Sequence, residues 1–303
     1  MKRYLKLTQE SALNTPAATS IYLRLPDPGA FRVMSTPEYW RIMSGTGFAV
    51  PALTGTQTMA VAATLTTPLF QEQAQFILGW ALTRINTGQT SPWTTTELAG
   101  DLASCTAEFA WTNFDGTFRK KAWGGCKVAR LRLTGSKGSP VMMLSLDLIG
   151  STPASSTVSE PAETSFPVNP YLFQHLRGGF TVGSSRSNFE SVNLEVVNAL
   201  TPYFDESQYA NAVRLGGRST TVQARMRLKA SPDDRALWEA GTAQSLTMVW
   251  TGYTHTVTLT ANAQNFINSV AEDFPIDREV YYDLNIQNYL DATAGTDFTF
   301  AYA

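Results

Sequence analysis

A chain of 303 residues with 43% hydrophobic side chains is long enough for two cores, each near the common domain size of about 100–150 residues. Charged residues make up only 16% and aromatics 11%, which excludes a disordered chain. A net charge of −2 excludes a strongly basic nucleic-acid binder.

The opening Met1-Lys2-Arg3-Tyr4-Leu5-Lys6-Leu7-Thr8-Gln9 is charged and has no apolar run behind it, so no secretory signal is expected. Residues 1–20 read as an extended arm with a short strand from Tyr4 to Leu7. Ser20 to Leu25 and Phe31 to Met34 read as strands broken by Pro26-Asp27-Pro28-Gly29, and Tyr39 to Met43 as another. An irregular loop from Gly45 to Gly55 follows. Met59, Val61, Ala63 and Leu65 then alternate like a half-buried strand. Thr67 reads as the N-cap of a helix running to Leu82, with Pro68 in its first turn. Phe70, Ala74, Ile77 and Ala81 would form its packed face, while Gln71, Gln73 and Gln75 point elsewhere. Next come a strand ending at Trp111, a strand pair around Gly124-Gly125 and an alternating strand from Met142 to Leu148. Gly135-Ser136-Lys137-Gly138-Ser139 lies between two strands and lacks phosphate-loop spacing, so it reads as a hairpin turn.

Residues 151–170 are rich in Pro, Ser and Thr and read as a stiff linker that separates domains. Beyond it, Val192, Leu194 and Val196 alternate, a long loop covers Leu200 to Gly217, and Val222, Ala224, Met226 and Leu228 alternate again. Ser231-Pro232 opens a second helix, with Asp233 and Asp234 in its first turn and Gly241 after its end. Strands are expected from Leu246 to Trp250, Thr254 to Thr260, Val280 to Tyr289 and Phe298 to Tyr302. The order strand, helix, strand ending in Trp, strand pair, alternating strand thus occurs twice. The organisation expected is a mainly β chain of two tandem domains, 1–150 and 171–303, joined by the linker 151–170.

Catalytic groups do not converge. Of two histidines, His255 sits in an alternating strand, and neither Cys105 nor Cys126 has a CxxC partner. Gly216-Gly217-Arg218 lacks the dinucleotide pattern, and no GxSxG elbow occurs. No catalytic residue, metal site or cofactor is expected. The two cysteines read as buried free thiols suited to a reducing cytoplasm. Glu272, Asp273, Asp277, Glu279 and Asp283 form an acidic group without a calcium-loop pattern. It reads as a solvated acidic surface, or as a channel face that would repel a polyanion. No run is long and apolar enough for a membrane span.

The opening Thr8-Gln9-Glu10-Ser11-Ala12-Leu13-Asn14-Thr15-Pro16 resembles the start of major tail proteins of long-tailed bacteriophages. So do Gly124-Gly125-Cys126-Lys127-Val128-Ala129-Arg130-Leu131, Leu144 to Gly150, Leu194 to Leu200 and Leu215-Gly216-Gly217-Arg218. The resemblance covers most of the chain. It implies β-sandwich or rolled-barrel domains of tail-tube type, each flanked by one helix, that self-assemble into stacked rings through which double-stranded DNA passes. Two such domains per chain imply three copies per ring with pseudo-six-fold geometry; a single elaborated domain implies six. Residues 1–150 hold 14 Lys and Arg against 9 Asp and Glu, and residues 151–303 hold 9 against 16, which suits domains alternating around a ring. By the same analogy the arm and the two long loops would make ring-to-ring contacts, through Tyr4, Leu7, Glu10, Phe48, Val50, Tyr203 and Phe204. Implied partners are further copies of the chain, a tape-measure protein and tail-tip and terminator proteins, in a virion tail assembled in the host cytoplasm. The alternative is a tail-tip or capsid decoration protein that binds a surface glycan. Trp111 and Trp250 argue against it, since both end strands at equivalent positions and read as core rather than as a glycan platform.

Overall fold

The structure is a computed structural model and describes residues 3–12, 15–24, 31–34, 40–43, 49–53, 61–82, 93–94, 102–156, 158–176, 179–205, 209–228, 234–273, 280–289 and 298–303. The first half holds β1 (Arg3–Ala12), β2 (Thr15–Arg24), β3 (Phe31–Met34), β4 (Trp40–Met43), β5 (Ala49–Leu53) and β6 (Val61–Pro68). Helix α1 (Gln71–Leu82) follows, then β7 (Trp93–Thr94), β8 (Cys105–Thr112), β9 (Phe118–Ser136), β10 (Ser139–Gly150) and β11 (Thr152–Ala154). The second half holds β12 (Phe180–Val182), β13 (Ser184–Ser185), β14 (Phe189–Tyr203) and β15 (Ala212–Arg227). Helix α2 (Asp234–Glu239) then precedes β16 (Gln244–Thr251), β17 (Thr256–Asp273), β18 (Tyr281–Asn288) and β19 (Phe298–Tyr302). The chain is mainly β, and every ladder among the described residues is antiparallel.

One strand in each half organises the rest. β9 is a single bent strand of 19 residues rather than the strand pair expected at Gly124-Gly125. Its first part pairs with β8 and β11, and its second part pairs with β10. Gly125, at φ +63°, takes the left-handed conformation that the bend requires. β17 does the same in the second half: its first part pairs with β16 and β19, its second part with β18. The correspondence extends outward. β6 flanks β10 as β15 flanks β18, and β3 flanks β6 as β14 flanks β15. β1 joins β8 and β2 as β12 joins β16 and β13. The long strands even share a bulge, at Ala129 beside Leu148 and at Asn268 beside Ile286.

The halves are not spaced apart. β14 pairs with β9 over Ser191 to Val197, so the order β3-β6-β10-β9-β14-β15-β18-β17 runs as one broad sheet. Leu5 and Leu7 of β1, Leu131 and Leu133 of β9, Leu194 of β14 and Leu284 of β18 belong to one buried cluster. The Pro-rich segment after residue 150 lies along the first half instead of standing free. β11 hydrogen-bonds to β9, Val158 is buried, and Asn169 O accepts from Gln71 N. Proline limits backbone freedom but leaves carbonyls and apolar rings that can dock on a neighbouring strand.

Helix α1 starts later than expected. Thr67 and Pro68 end β6, where they sit opposite Leu144 and Met143, and the helix begins at Gln71. Its packed face is also wider, because it is covered on several sides. Gln71 and Gln73 are buried with Ala74, Ile77 and Ala81. Gln73 Nε2 donates to Tyr22 O at 2.5 Å, and Gln71 Oε1 accepts from Thr254 N at 3.2 Å, so one polar atom of each amide is bonded, while Gln73 Oε1 and Gln71 Nε2 are buried without a hydrogen bond among the described residues. The capping pair Ser231-Pro232 and Asp233 lie outside the described residues, while Asp234 opens α2 and Gly241, at φ +57°, follows its end.

Candidate assembly surfaces

The seam between the halves is built from buried polar groups as well as strands. Asn198 ends the inward-facing series Val192, Leu194, Val196 on β14 and is 2% exposed. Its Nδ2 donates to Ala81 O at 3.0 Å and Val128 O at 2.9 Å, and its Oδ1 accepts from Arg218 Nε at 3.0 Å. Arg218 Nη2 donates to Leu82 O at 2.6 Å. The second half thereby caps the last carbonyls of α1, which the helix itself cannot satisfy. Beyond Asn198 the β14–β15 hairpin leans on the first half: Lys127 Nζ donates to Val213 O at 2.5 Å and Ser151 Oγ to Ala210 O.

Two strand edges of the broad sheet lack a ladder among the described residues. β3 pairs only with β6, and the second part of β17 pairs only with β18. Beside that β17 edge lies α2, whose Trp238 is 41% exposed and donates Nε1–H to Asn268 O at 3.1 Å. Trp80 on α1 makes a similar bond to Cys126 O of β9 at 3.3 Å, but is fully buried. A helix indole thus bonds to the long strand in each half, covered in the first and open in the second.

The candidate stacking residues divide. Tyr4, Leu7 and Glu10 are buried in the chain's own fold, because β1 is held between β2 and β8 and is no free arm. Tyr4 packs against Phe118 and Phe166 at centroid distances of 6.1 and 6.0 Å, and burial pushes its hydroxyl up to about 12. Glu10 accepts from Ser104 Oγ at 2.6 Å, Thr106 Oγ1 at 2.7 Å and Gly125 N at 2.9 Å, which ties the arm to the bend of β9. Val50 lies in β5 opposite Ile42, and Phe48 falls outside the described residues. Tyr203, at the end of β14, is 47% exposed with the Arg214 guanidinium 4.9 Å from its ring centre; Phe204 is half-buried.

The acidic group does not form one face. Glu272 pairs across β18 with Tyr282, and Asp283 is the next residue, so strand alternation sends the two carboxylates to opposite sides. Glu272 meets Arg235 of α2 at 3.6 Å, and Asp283 meets Arg225 of β15 at 3.4 Å. Asp273 ends β17, while Asp277 and Glu279 lie outside the described residues. Trp250 is core, as its position suggested; Trp111 is only half-buried, at the outer end of the β8 face that carries Ala107 and Phe109, and is stacked on Phe109 at 5.1 Å. Cys105 and Cys126 are free, buried and opposite each other on β8 and β9.

Sequence reasoning passed over Asn198, Arg218, Lys127 and Trp238. The signal for Asn198 was present: a polar residue at an inward position of an alternating strand needs a partner.

The family model for phage tail tube proteins matches residues 42–287, most of the chain and both halves. The chain belongs to that family. It is thus a structural tail component of a bacteriophage. Comparison with curated proteins finds no match. No helix of the described residues is long and apolar enough to cross a membrane.

Proposed function

We propose that copies of this chain join edge to edge into closed rings of three, and that the rings stack into the tube through which double-stranded DNA leaves the virion. The chain acts by assembly and not by catalysis. The β9–β14 seam carries the reading, because it is a junction between two like units already made within one chain. β3 holds in the first half the position of β14, and β17 holds in the second half the position of β9. Pairing β17 with β3 of the next copy repeats the seam. Three copies then supply six like units, and a closed ring leaves no edge for aggregation.

The shared bulges give the register. Leu194 faces Leu133 and Asn193 faces Thr134 across the internal seam. Counting from the bulge at Asn268, the equivalent partners are Val33 with Glu272 and Arg32 with Asp273. A basic residue opposite an acidic one accords with the opposite charge balance of the halves. The β4–β5 hairpin follows β3 as the outer part of the β14–β15 hairpin follows the seam, so it would cover the exposed Trp238 of a neighbour. The stacking role expected for Phe48, Val50, Tyr203 and Phe204 shifts accordingly toward contacts within a ring. A tape-measure protein inside the tube and tip and terminator proteins at its ends complete the set of partners, in a tail assembled in the host cytoplasm.

Native mass spectrometry with negative-stain electron microscopy tests this. Hollow rings or tubes with three copies per ring are expected. Six copies per ring would discard the β17–β3 junction. A compact monomer that fails to polymerise on a tail-tip seed would discard the tube.

A further inference from the structure

We infer that the uncovered face of the broad sheet lines the bore with charges that cancel one another, so that a DNA duplex passes without being held. The inference rests on the tube reading above and concerns the face whose residues alternate with the core.

On that face β9 presents Arg130 and Arg132, β10 Asp147, β14 Glu195, β15 Arg225 and β18 Asp283, all between inward-facing apolar neighbours. Three arginines thus stand with three carboxylates, and a fourth, Arg227, shares the face at the end of β15 opposite Tyr281. Each of the first three sits across a strand from an opposite charge: Arg130 opposite Asp147, Arg132 opposite Glu195, Arg225 opposite Asp283. Arg130 lies 3.1 Å from Glu195 and 3.6 Å from Asp147, and Arg132 lies 3.0 Å from Glu195. Arg225 lies 3.4 Å from Asp283. Between these pairs runs an uncharged row in register, Thr134, Asn193, Gln223 and Asn285. The face is hollowed over β14, β15, β18 and β17, where a depression of about 420 Å³ is lined by Asn193, Gln223, Arg225, Asp283 and Asn285. The other face of the sheet is closed by the core. When the sheet rolls into a ring, the hollow polar face is the one able to form a bore.

An unpaired arginine on such a wall would bind phosphate and release counterions, and an unpaired carboxylate would repel the duplex. Cross-strand pairing removes both effects, while the amides and hydroxyls keep the wall wet. Glu195 is central because two arginines share it.

The test uses full-length protein assembled into tubes and a short double-stranded DNA as probe, with co-sedimentation measured over a range of salt. Wild-type tubes should retain almost no DNA. Glu195→Gln should raise retention roughly tenfold at low salt, with the gain disappearing as salt is added. Asp283→Asn removes the carboxylate opposite Arg225 and should act the same way, independently of any effect of Glu195 on folding. Glu239→Gln, which breaks the exposed Arg235–Glu239 pair on α2, should change nothing. The inference is overturned if Glu195→Gln and Asp283→Asn tubes bind no more DNA than wild type, or if wild-type tubes already hold DNA as tightly. Electron microscopy of the same samples separates the two ideas. Absence of wild-type tubes sinks the tube reading, and the charge cancellation is then read from DNA binding to the soluble chain.

Discussion

Replacing Asn198 by Ala removes one side chain from the point where the halves meet, and its cost follows from three bonds. Nδ2 loses two neutral acceptors, Ala81 O and Val128 O, and Oδ1 leaves the charged Arg218 Nε. Each neutral bond contributes about 1 kcal/mol and a bond to a charged donor about 1.5 kcal/mol or more. The site is nearly closed to water, so little rehydration offsets the loss. Destabilisation of about 3 kcal/mol is expected, or a drop in Tm of roughly 5 °C for a chain of this size. Urea and heat unfolding followed by tryptophan fluorescence measure it, with Trp80 reporting from the adjoining helix. Asn193→Ala lies on the same strand but on the open face, where its bond to Gln223 is exposed, and should cost less than about 0.5 kcal/mol. A loss at Asn198 as small as that at Asn193 would refute the view that buried polar groups hold the seam. Arg218→Ala combined with Asn198→Ala should cost less than the sum of the two, since they share a bond.

Asp234 lies between Arg186 Nη2 at 2.6 Å and the Tyr282 hydroxyl at 2.6 Å, with both ionic partners almost fully buried. Asp234→Asn leaves the arginine charge without its counter-ion and should cost about 3–5 kcal/mol in urea unfolding. Burial, then the nearby Glu10, pushes the Cys126 thiol up to about 12 from 9.0, and burial raises Cys105 as well. The unfolded chain then loses these protons before the folded one does. Stability should be flat with respect to these thiols below pH ~9 and fall above it, by up to about 1.4 kcal/mol per pH unit for each group. Urea midpoints from pH 7 to 11 check this, and neither thiol should react with a disulfide reagent at neutral pH until the protein unfolds. Trp238→Ala should change the unfolding free energy of the single chain by less than about 1 kcal/mol yet abolish rings in electron micrographs; intact rings would remove α2 from the proposed contact.

Most strands were legible because alternation of apolar and polar residues directly encodes which side of a strand is buried. β6, β10, β18 and β19 could be read that way, as could the inner parts of β14 and β15 and the turn at Lys137-Gly138 between β9 and β10; the outer parts of β14 and β15, residues 200–203 and 212–217, lie in the stretch expected as a loop. The repeat was legible for the same reason, since element order survives when residue identity does not. Alternation carries no information about which strand lies alongside. The β9–β14 ladder joins residues about sixty positions apart, and no local signal announces it. That ladder gave Asn198 its partners, while pairing of β11 with β9 turned an expected linker into a docked segment and contacts with Tyr22 and Thr254 drew Gln73 and Gln71 into the interior. Register likewise split Glu272 from Asp283, members of one apparent acidic cluster but on opposite faces of the sheet. The sequence by itself determined the class of elements, their order and the faces they bury, because these depend on neighbours along the chain. Only the tertiary structure decided which edges are closed, which remain open for another copy and which charges meet, because these depend on contacts between distant strands.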